Sequence, residues 1–367
     1  MALNFVSELE EILENYDLGE LLGFERNERG YVNTSFAIET IKDGVRARYF
    51  LRKYKAGIRP EELAFEHALI AHLAAAGAPP VARLHLTREG ATCAHSVAGQ
   101  GDRAGAYYAI FDFLPGEDRY TWVAPRCTPA QVRNAAVVLA RFHQAAGRFS
   151  PQGKRSEAQI LDLLPVIARN LVGCRDRARH PAFDAYLSDQ QALIQESIAS
   201  ALQVLSHPGY SHMVRIAVHC DFHPGNLKFQ GDEICGLFDF DWSKVDFRCF
   251  DLALALWYFF VTWEAPQDGE LRLDEVEIFL ASYQEALQDD LAIGPLSEVE
   301  LNALPAMIQA ANLYILNWTI LDYCRKEVDP DEYLVYLRHG VHFIRWFNDP
   351  QNRARLDALV GSLNNCE

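Results

Sequence analysis

Between His219 and Asp251 the chain gathers His219, Asp221, His223, Asn226, Asp239, Asp241, Asp246 and Asp251, interleaved with strongly apolar neighbours. A solvated charged face would not alternate in this way. A lone buried His or Asp needs no more than a hydrogen-bond partner to explain it, but several together at strand ends are the pattern of a site. Ile216–Val218 and Ile234–Phe240 read as short buried strands that run into these polar stretches. Two chemistries fit the residues. In one, Asp221 orients and deprotonates an attacking hydroxyl, while Asn226 and Asp239 offer oxygen ligands to a magnesium ion that bridges the phosphates of a nucleotide. In the other, His219, Asp221, His223 and Asp239 or Asp241 form a transition-metal centre for hydrolysis. The second wastes Asn226, a poor zinc ligand, and gives the upstream part of the chain nothing to do.

His219-Cys-Asp221-Phe-His-Pro-Gly-Asn226, followed by Asp239, resembles the H-x-D-x-x-x-x-N … D-F signature of the aminoglycoside phosphotransferase and choline kinase-like superfamily. Gly236-Leu-Phe-Asp-Phe-Asp-Trp, Phe250-Asp251-Leu-Ala and Leu139-Ala-Arg-Phe-His143 are similar to further segments of it, the type II homoserine kinase branch included, and the likeness runs over residues 15–260. The resemblance implies an α+β, bilobal protein kinase-like fold, with a small mixed β lobe and a larger helical lobe. It implies ATP and Mg2+ as cofactors, and transfer of the γ-phosphate to a hydroxyl of an amino acid, amino alcohol, aminoglycoside or sugar. Carried over by position, Asp221 is the catalytic base, His219 braces its loop, Asn226 and Asp239 hold the metal, and Asp251 is structural.

In such kinases a strand cation, held by a helix carboxylate, meets the α- and β-phosphates. Glu66 stands where that carboxylate is expected, and Arg52 where relatives often carry Lys. Lys53 is the alternative, since neighbouring strand residues face opposite ways. Gly30-Tyr-Val-Asn33-Thr-Ser-Phe36 resembles the turn that covers the nucleotide phosphates, and Asp112-Phe-Leu114 falls where the family's linker offers backbone groups to adenine. For the acceptor, His223, Asp241 and Trp242 flank the motif. Tyr314, Trp318 and Asp322 recur every four residues and share a helix face, which is also the ordinary spacing of a buried stripe. If that face meets the acceptor, Trp318 beside Asp322 suits an amine, and Arg325 a turn on suits a carboxylate. Beside the kinase stand two other readings: a non-catalytic nucleotide-binding module, disfavoured by the intact Asp221, Asn226 and Asp239, and the metal-dependent hydrolase.

These residues need two kinds of scaffold. Residues 1–115 read as a nucleotide-binding lobe and 116–367 as a catalytic and substrate-binding helical lobe. Arg46–Tyr54 alternates as one strand of a hairpin with the run after Gly30. Glu61–Ala76 has helical spacing, opening after Pro60 and stopping at Gly77. Val81–Leu86 and Tyr107–Leu114 read as further strands. Thr128-Pro-Ala-Gln131 spells a capping box before a helix to Phe142, and helical patterns cover 157–171, 184–206, 250–264, 272–288, 298–324 and 331–347.

The 367 residues include 34 Lys+Arg and 50 Asp+Glu, a formal net charge of −16. That balance disfavours a nucleic acid as partner; the resemblance implies a small-molecule hydroxyl acceptor, and the chain is expected to be a monomer or homodimer. No apolar run approaches the ~20 residues of a membrane span. The 8 cysteines form no C-x-x-C pair, so neither a zinc ribbon nor a redox motif is spelled. Free thiols and an N-terminus without a basic, apolar signal pattern imply the cytoplasm.

Overall fold

The computed structural model describes residues 2–27, 32–96, 105–174 and 179–363; Gly30 and Tyr31 of the expected nucleotide turn lie outside the described residues. The chain divides into two units. The first comprises Met1–Gly116, Ser150–Lys154 and Cys235–Phe238, and the second Glu117–Phe149, Arg155–Ile234 and Asp239–Glu367. The two short later segments join unit one through backbone hydrogen bonds, Lys154 N to Glu61 O at 3.0 Å and Leu237 N to Pro80 O at 2.7 Å.

Unit one contains α1 (Ala2–Glu14), β1 (Glu20–Asn27), β2 (Thr34–Lys42), β3 (Val45–Lys53), α2 (Pro60–Ala76), β4 (Leu84–His85), β5 (Ala94–Ser96) and β6 (Ala106–Asp112). The strands form one antiparallel sheet in the order β1-β2-β3-β6-β4, with β5 also on β6. β2 and β3 turn through Asp43-Gly44, both at positive φ (52° and 78°), the conformation that tight hairpins require. Leu9, Ile12 and Leu13 of α1, with Tyr16, cover Phe36, Ile38, Leu51, Tyr108 and Ile110 to make the core of one sheet face. The period of two in β3 sends Leu51 and Lys53 toward that side and Arg52 toward the other. α2 opens on Pro60 and stops at Gly77, whose left-handed φ of 71° a side chain would strain. The expected strand Val81–Leu86 shrinks to the two residues of β4, because Val81 is spent on a parallel bridge to Leu237.

The elements that follow in the chain are α3 (Pro129–Ala146), α4 (Ile160–Cys174), α5 (Pro181–Leu205), β7 (Arg215–Val218), a 3-10 turn at Pro224–Asn226, β8 (Leu227–Gln230), β9 (Glu233–Leu237), β10 (Lys244–Phe247), α6 (Arg248–Phe260), α7 (Leu273–Ala286), α8 (Glu298–Arg325), α9 (Pro330–Asn348) and α10 (Pro350–Leu363), all in unit two except β9 from Cys235 on. The capping box at Thr128 and Gln131 forms as its sequence spells. β10 pairs antiparallel with β7, Lys244 opposite Val218 and Phe247 opposite Arg215, and runs into α6 without a loop. Every residue of α6 is buried, so its apolar run is a core helix. It ends at Phe260, short of the expected 264, because Val261 bridges to Leu271. β8, β10 and α10 had no counterpart in the sequence reading; four residues are too few to show a period of two. Among the described residues no helix is long and apolar enough to cross a membrane.

One ion pair ties α6 to α8. Arg248 Nη2 meets Glu300 Oε2 at 2.6 Å and its Nε meets Oε1 at 2.7 Å, both side chains being almost completely buried. Two further guanidinium hydrogens go to Gly294 O and Pro295 O, and Glu300 also closes the capping box that starts α8 at Ser297. Removing one member strands the other charge. Glu300→Ala should therefore lower the unfolding free energy by about 3–5 kcal/mol, read as a lowered urea midpoint; a shift within error of wild type would contradict a desolvated pair.

Candidate active site

The His219–Asn226 loop begins where β7 ends, and it is held from below by a single carboxylate. Asp251, in the first turn of α6, accepts the backbone N–H of His219 at 2.8 Å on Oδ2 and that of Cys220 at 2.7 Å on Oδ1. His143 Nε2, from α3, reaches Oδ2 at 3.0 Å, and Tyr283 OH, from α7, bonds His143 Nδ1 at 2.6 Å. A carboxylate only accepts, so His143 carries its proton on Nε2. Burial alone would push Asp251 up. The His143 hydrogen bond and charge, with His219 and its amide, outweigh burial and hold Asp251 below the ordinary carboxylate range. These bonds fix Cys220 at φ 63°, a left-handed conformation costly for a residue with a side chain.

His219 is fully buried, its ring 4.7 Å from Phe240, 6.0 Å from Phe142 and 6.2 Å from Phe222, and its Nδ1 accepts the Asp221 amide at 3.3 Å. It braces the loop and does not reach outward. Asp221 itself keeps a partly open side chain, 19 % exposed. Asn226 Nδ2 donates to both Asp221 O and Asp221 Oδ2 at 2.9 Å, His223 Nε2 lies 3.6 Å from Oδ2, and the Tyr258 hydroxyl of α6 donates to the same carboxylate. Burial raises Asp221, but the charge and hydrogen bond of His223, then His219 and Tyr258, prevail, and the group is held below the usual carboxylate range. It is ionised at neutral pH, as a proton acceptor must be.

Asn226 spends its amide nitrogen on Asp221, which leaves the amide oxygen as the acceptor it can offer. Asp239 follows β9, half-buried and at φ 67°. One neutral and one anionic oxygen are the few hard ligands that magnesium accepts from protein, so the donor set fits Mg2+. Among the described residues no three His, Cys, Asp or Glu side chains converge as a metal site. The transition-metal reading of His219, Asp221 and His223 thus lacks its geometry, with His219 enclosed by rings and His223 Nδ1 accepting the Gly225 amide at 3.0 Å.

In unit one Arg52 and Lys53 part company. Arg52 Nη1 meets Glu66 Oε1 of α2 at 3.3 Å, both buried, whereas Lys53 crosses to the other sheet face and meets Glu8 of α1 at 2.8 Å. The Tyr54 hydroxyl donates to Glu66 Oε1 at 3.0 Å and lies 2.9 Å from His67 Nε2, and His67 Nδ1 lies 2.9 Å from Thr92 Oγ1. Since the single Tyr54 proton goes to the carboxylate, His67 donates from Nε2 and accepts from Thr92. Asn33 Oδ1 accepts the Lys55 amide at 2.9 Å and pins its turn to the end of β3. Asp112 accepts from Arg83 Nε at 2.7 Å and His85 Nε2 at 2.8 Å, while its own amide donates to Arg83 O at 2.9 Å. Its N–H is thus already used within unit one.

The acceptor candidates separate. Asp241 is buried, and Trp242 lies under the Arg155 guanidinium at 5.2 Å. Tyr314 is 6 % exposed and donates to Glu157 Oε2 at 3.0 Å, as a core residue. Trp318, Asp322 and Arg325 differ in their surroundings. Asp322 is bonded by Lys326, one turn on, at 2.7 Å, and Arg325 is exposed in the last turn of α8. Trp318 joins an aromatic corner that no spacing in the sequence announced. Trp122 stands edge-on to Trp263 (5.1 Å, 89°), Trp318 (6.2 Å, 90°) and Tyr258 (6.4 Å, 89°), and packs on Tyr336 at 4.5 Å. Trp122, Trp263 and Trp318 are half-buried. Tyr258, missed in the sequence, shares a face of α6 with Asp251 seven residues before it, a spacing that could have revealed it.

The model of the family described as "Phosphotransferase enzyme family" matches residues 23–287. A homoserine kinase of Bradyrhizobium sp. (strain ORS 278) is 30% identical over 342 residues, 90% of this chain and 92% of that protein. Among solved structures, an amicoumacin kinase in complex with AMP-PNP, Ca2+ and Ami superimposes with a TM-score of 0.66 at 16% identity, covering 92% of each chain. A microcompartment-associated aminopropanol kinase gives 0.65 at 14% identity, covering 96% of this chain and 99% of that one. At such identities these two structures speak for the fold.

The Arg52–Glu66–Tyr54–His67 chain predicts a pH dependence of its own. Burial first, and the Arg52 charge second, bring His67 down to about 4. An unfolded histidine titrates near 6.5, so the unfolded chain binds the extra proton. The stabilisation is complete above ~6.5 and is lost as pH falls toward 4, by up to about 3 kcal/mol. Urea titrations at pH 7 and pH 4.5 should show a smaller loss for His67→Gln than for wild type; equal slopes would mean that His67 does not titrate in this way.

Proposed function

The chain belongs to the phosphotransferase enzyme family, and from that premise we propose that its acceptor is a small hydroxyl compound carrying an amine. It is an ATP- and Mg2+-dependent phosphotransferase with a hydroxyl as acceptor. Hydroxy amino acids of the homoserine kind are the leading class, as the homoserine kinase relative suggests, with amino alcohols second. The observation that carries the amine is the aromatic corner. Half-buried tryptophans meeting at right angles present ring faces to a cation, and the same Tyr258 that stands against Trp122 donates to Asp221.

In this reading Asp221 takes the acceptor's hydroxyl proton on its open carboxylate edge while Asn226 and Tyr258 fix its orientation. Asp251 acts through the backbone, holding the loop in the conformation that presents Asp221. The Asn226 oxygen and Asp239 would hold Mg2+, which supplies positive charge to offset that of the phosphates. In unit one Arg52 is the phosphate cation, aimed by Glu66, and Glu66 is itself fixed by Tyr54. The Asn33 turn and the backbone after Asp112 complete the nucleotide's contacts. Residues 1–115 thus bind nucleotide and 116–367 carry catalysis and the acceptor.

Asp221→Asn should lower kcat by about 10²–10⁴-fold with Mg·ATP affinity held, because the base touches the acceptor and not the nucleotide; full turnover in that variant would remove Asp221 from the chemistry. Arg52→Ala should raise KM for ATP by about tenfold or more, whereas Lys53→Ala should act on stability through Glu8 and leave KM in place. Equal effects would refute the clamp. A turnover panel of hydroxy amino acids, amino alcohols, aminoglycosides and neutral sugars tests the acceptor, and selective use of a neutral sugar would end the amine reading while the kinase stands.

A further inference from the structure

One buried charge network of unit two plays no part in the steps above. Lys244, at the start of β10, lies 3.2 Å from Glu157 Oε2 and 3.2 Å from Asp246 Oδ2, and donates to Ala158 O at 2.7 Å. The Tyr314 hydroxyl of α8 donates to the same Glu157 Oε2 at 3.0 Å. One cation faces two carboxylates, so the network keeps one uncompensated negative charge.

The two carboxylates differ in how that charge is met. Asp246 is fully buried and accepts the Phe247 amide on Oδ1 and the Ile160 amide on Oδ2, both at 2.8 Å. The second is the first residue of α4, where the helix end itself favours an anion. Glu157 takes both of its bonds on Oε2, and its side chain is 24 % exposed, against 2 % for Lys244 and none for Asp246. It is the open member of an otherwise closed network. The network also lies beside the catalytic loop: Lys244 pairs across the β7–β10 ladder with Val218, the residue that immediately precedes His219.

We infer that Glu157 is a specificity-determining residue, whose open Oε1 edge receives the ammonium of the acceptor while Lys244 and Tyr314 hold the carboxylate from behind. The inference rests on the amine-bearing acceptor proposed above and names the residue that pairs with it. An arriving ammonium balances the network at two charges of each sign. An acceptor without one leaves a partly desolvated carboxylate uncompensated, which is a penalty built against the wrong substrate.

The test compares two pairs of acceptors that differ in the ammonium: homoserine against 4-hydroxybutanoate, and ethanolamine against ethylene glycol. Wild type should prefer the ammonium-bearing member of at least one pair. Glu157→Gln should lower kcat/KM for that member by about 10–100-fold, the scale of one charged hydrogen bond, chiefly through KM. It should leave KM for ATP unchanged and raise kcat/KM for the other member, whose penalty it removes, so that the preference collapses. Tyr314→Phe, which removes one hydroxyl from Glu157 and conserves the ring, should reduce the preference about 3–10-fold at an unchanged melting temperature, and it serves if Glu157→Gln does not fold. A wild-type preference that persists in both variants overturns the inference and leaves the amine reading intact. A wild type that uses neutral sugars and neither amine sinks the amine reading and the inference together.

Discussion

A carboxylate with two oxygens, set at the start of a buried helix, is what the proposed catalytic half of this protein depends on. Asp251 accepts two consecutive backbone amides, one on each oxygen, and so fixes the direction in which the chain leaves β7. That direction places Cys220 in a left-handed conformation and turns Asp221 toward Asn226, Tyr258 and His223. His143 and Tyr283 stand behind the carboxylate in sequence, so helices α3, α6 and α7 all converge on one loop. A shorter or neutral residue at 251 could not serve both amides, and the strain at Cys220 would have nothing to oppose it.

Unit one follows a simpler rule, the alternation of a strand. Two adjacent cations on β3 are divided between two helices, Lys53 to Glu8 on α1 and Arg52 to Glu66 on α2. The same period brings Tyr54 back to the Arg52 side, where it bonds Glu66. The proposed phosphate cation is therefore oriented by one element and buttressed by the next residue on its own face. A buried Arg–Glu contact of this kind is specific in geometry more than it is stabilising, because desolvation offsets much of its attraction.

Much of this could be read from residue order, because the governing contacts are local or periodic. Strand alternation separated Arg52 from Lys53, and the spacing of Asp221 and Asn226 is that of one tight turn whose ends touch at 2.9 Å. The acceptor side was less legible for a definite reason. The helix face of Tyr314, Trp318 and Asp322 was visible, but its partners come from elsewhere: Trp122 from an irregular segment before α3 and Trp263 from the loop after α6. No periodicity announces a residue in such a segment. Asp322 shows the opposite case, since its partner Lys326 is four residues away, just past the end of α8. The charge balance around Lys244 was likewise invisible, because Glu157 and Tyr314 are 157 residues apart in the chain.

The fastening of the loop has a consequence for how the protein is made. Its anchor lies 32 residues downstream of His219, and His143, which steadies that anchor, waits on Tyr283, 140 residues further along the chain than itself. A ribosome that has released Asp221 and Asn226 has therefore not yet delivered the groups that hold them. Through that interval the β7 end carries two unpaired amides and an unsupported left-handed residue, and unit one, whose sheet is complete by β6, has the opportunity to fold first. The groups of the sheet are delivered early and those that hold the proposed catalytic loop late, so a product cut short before α7 would carry the residues of the proposed phosphate clamp without a loop held in place to use it.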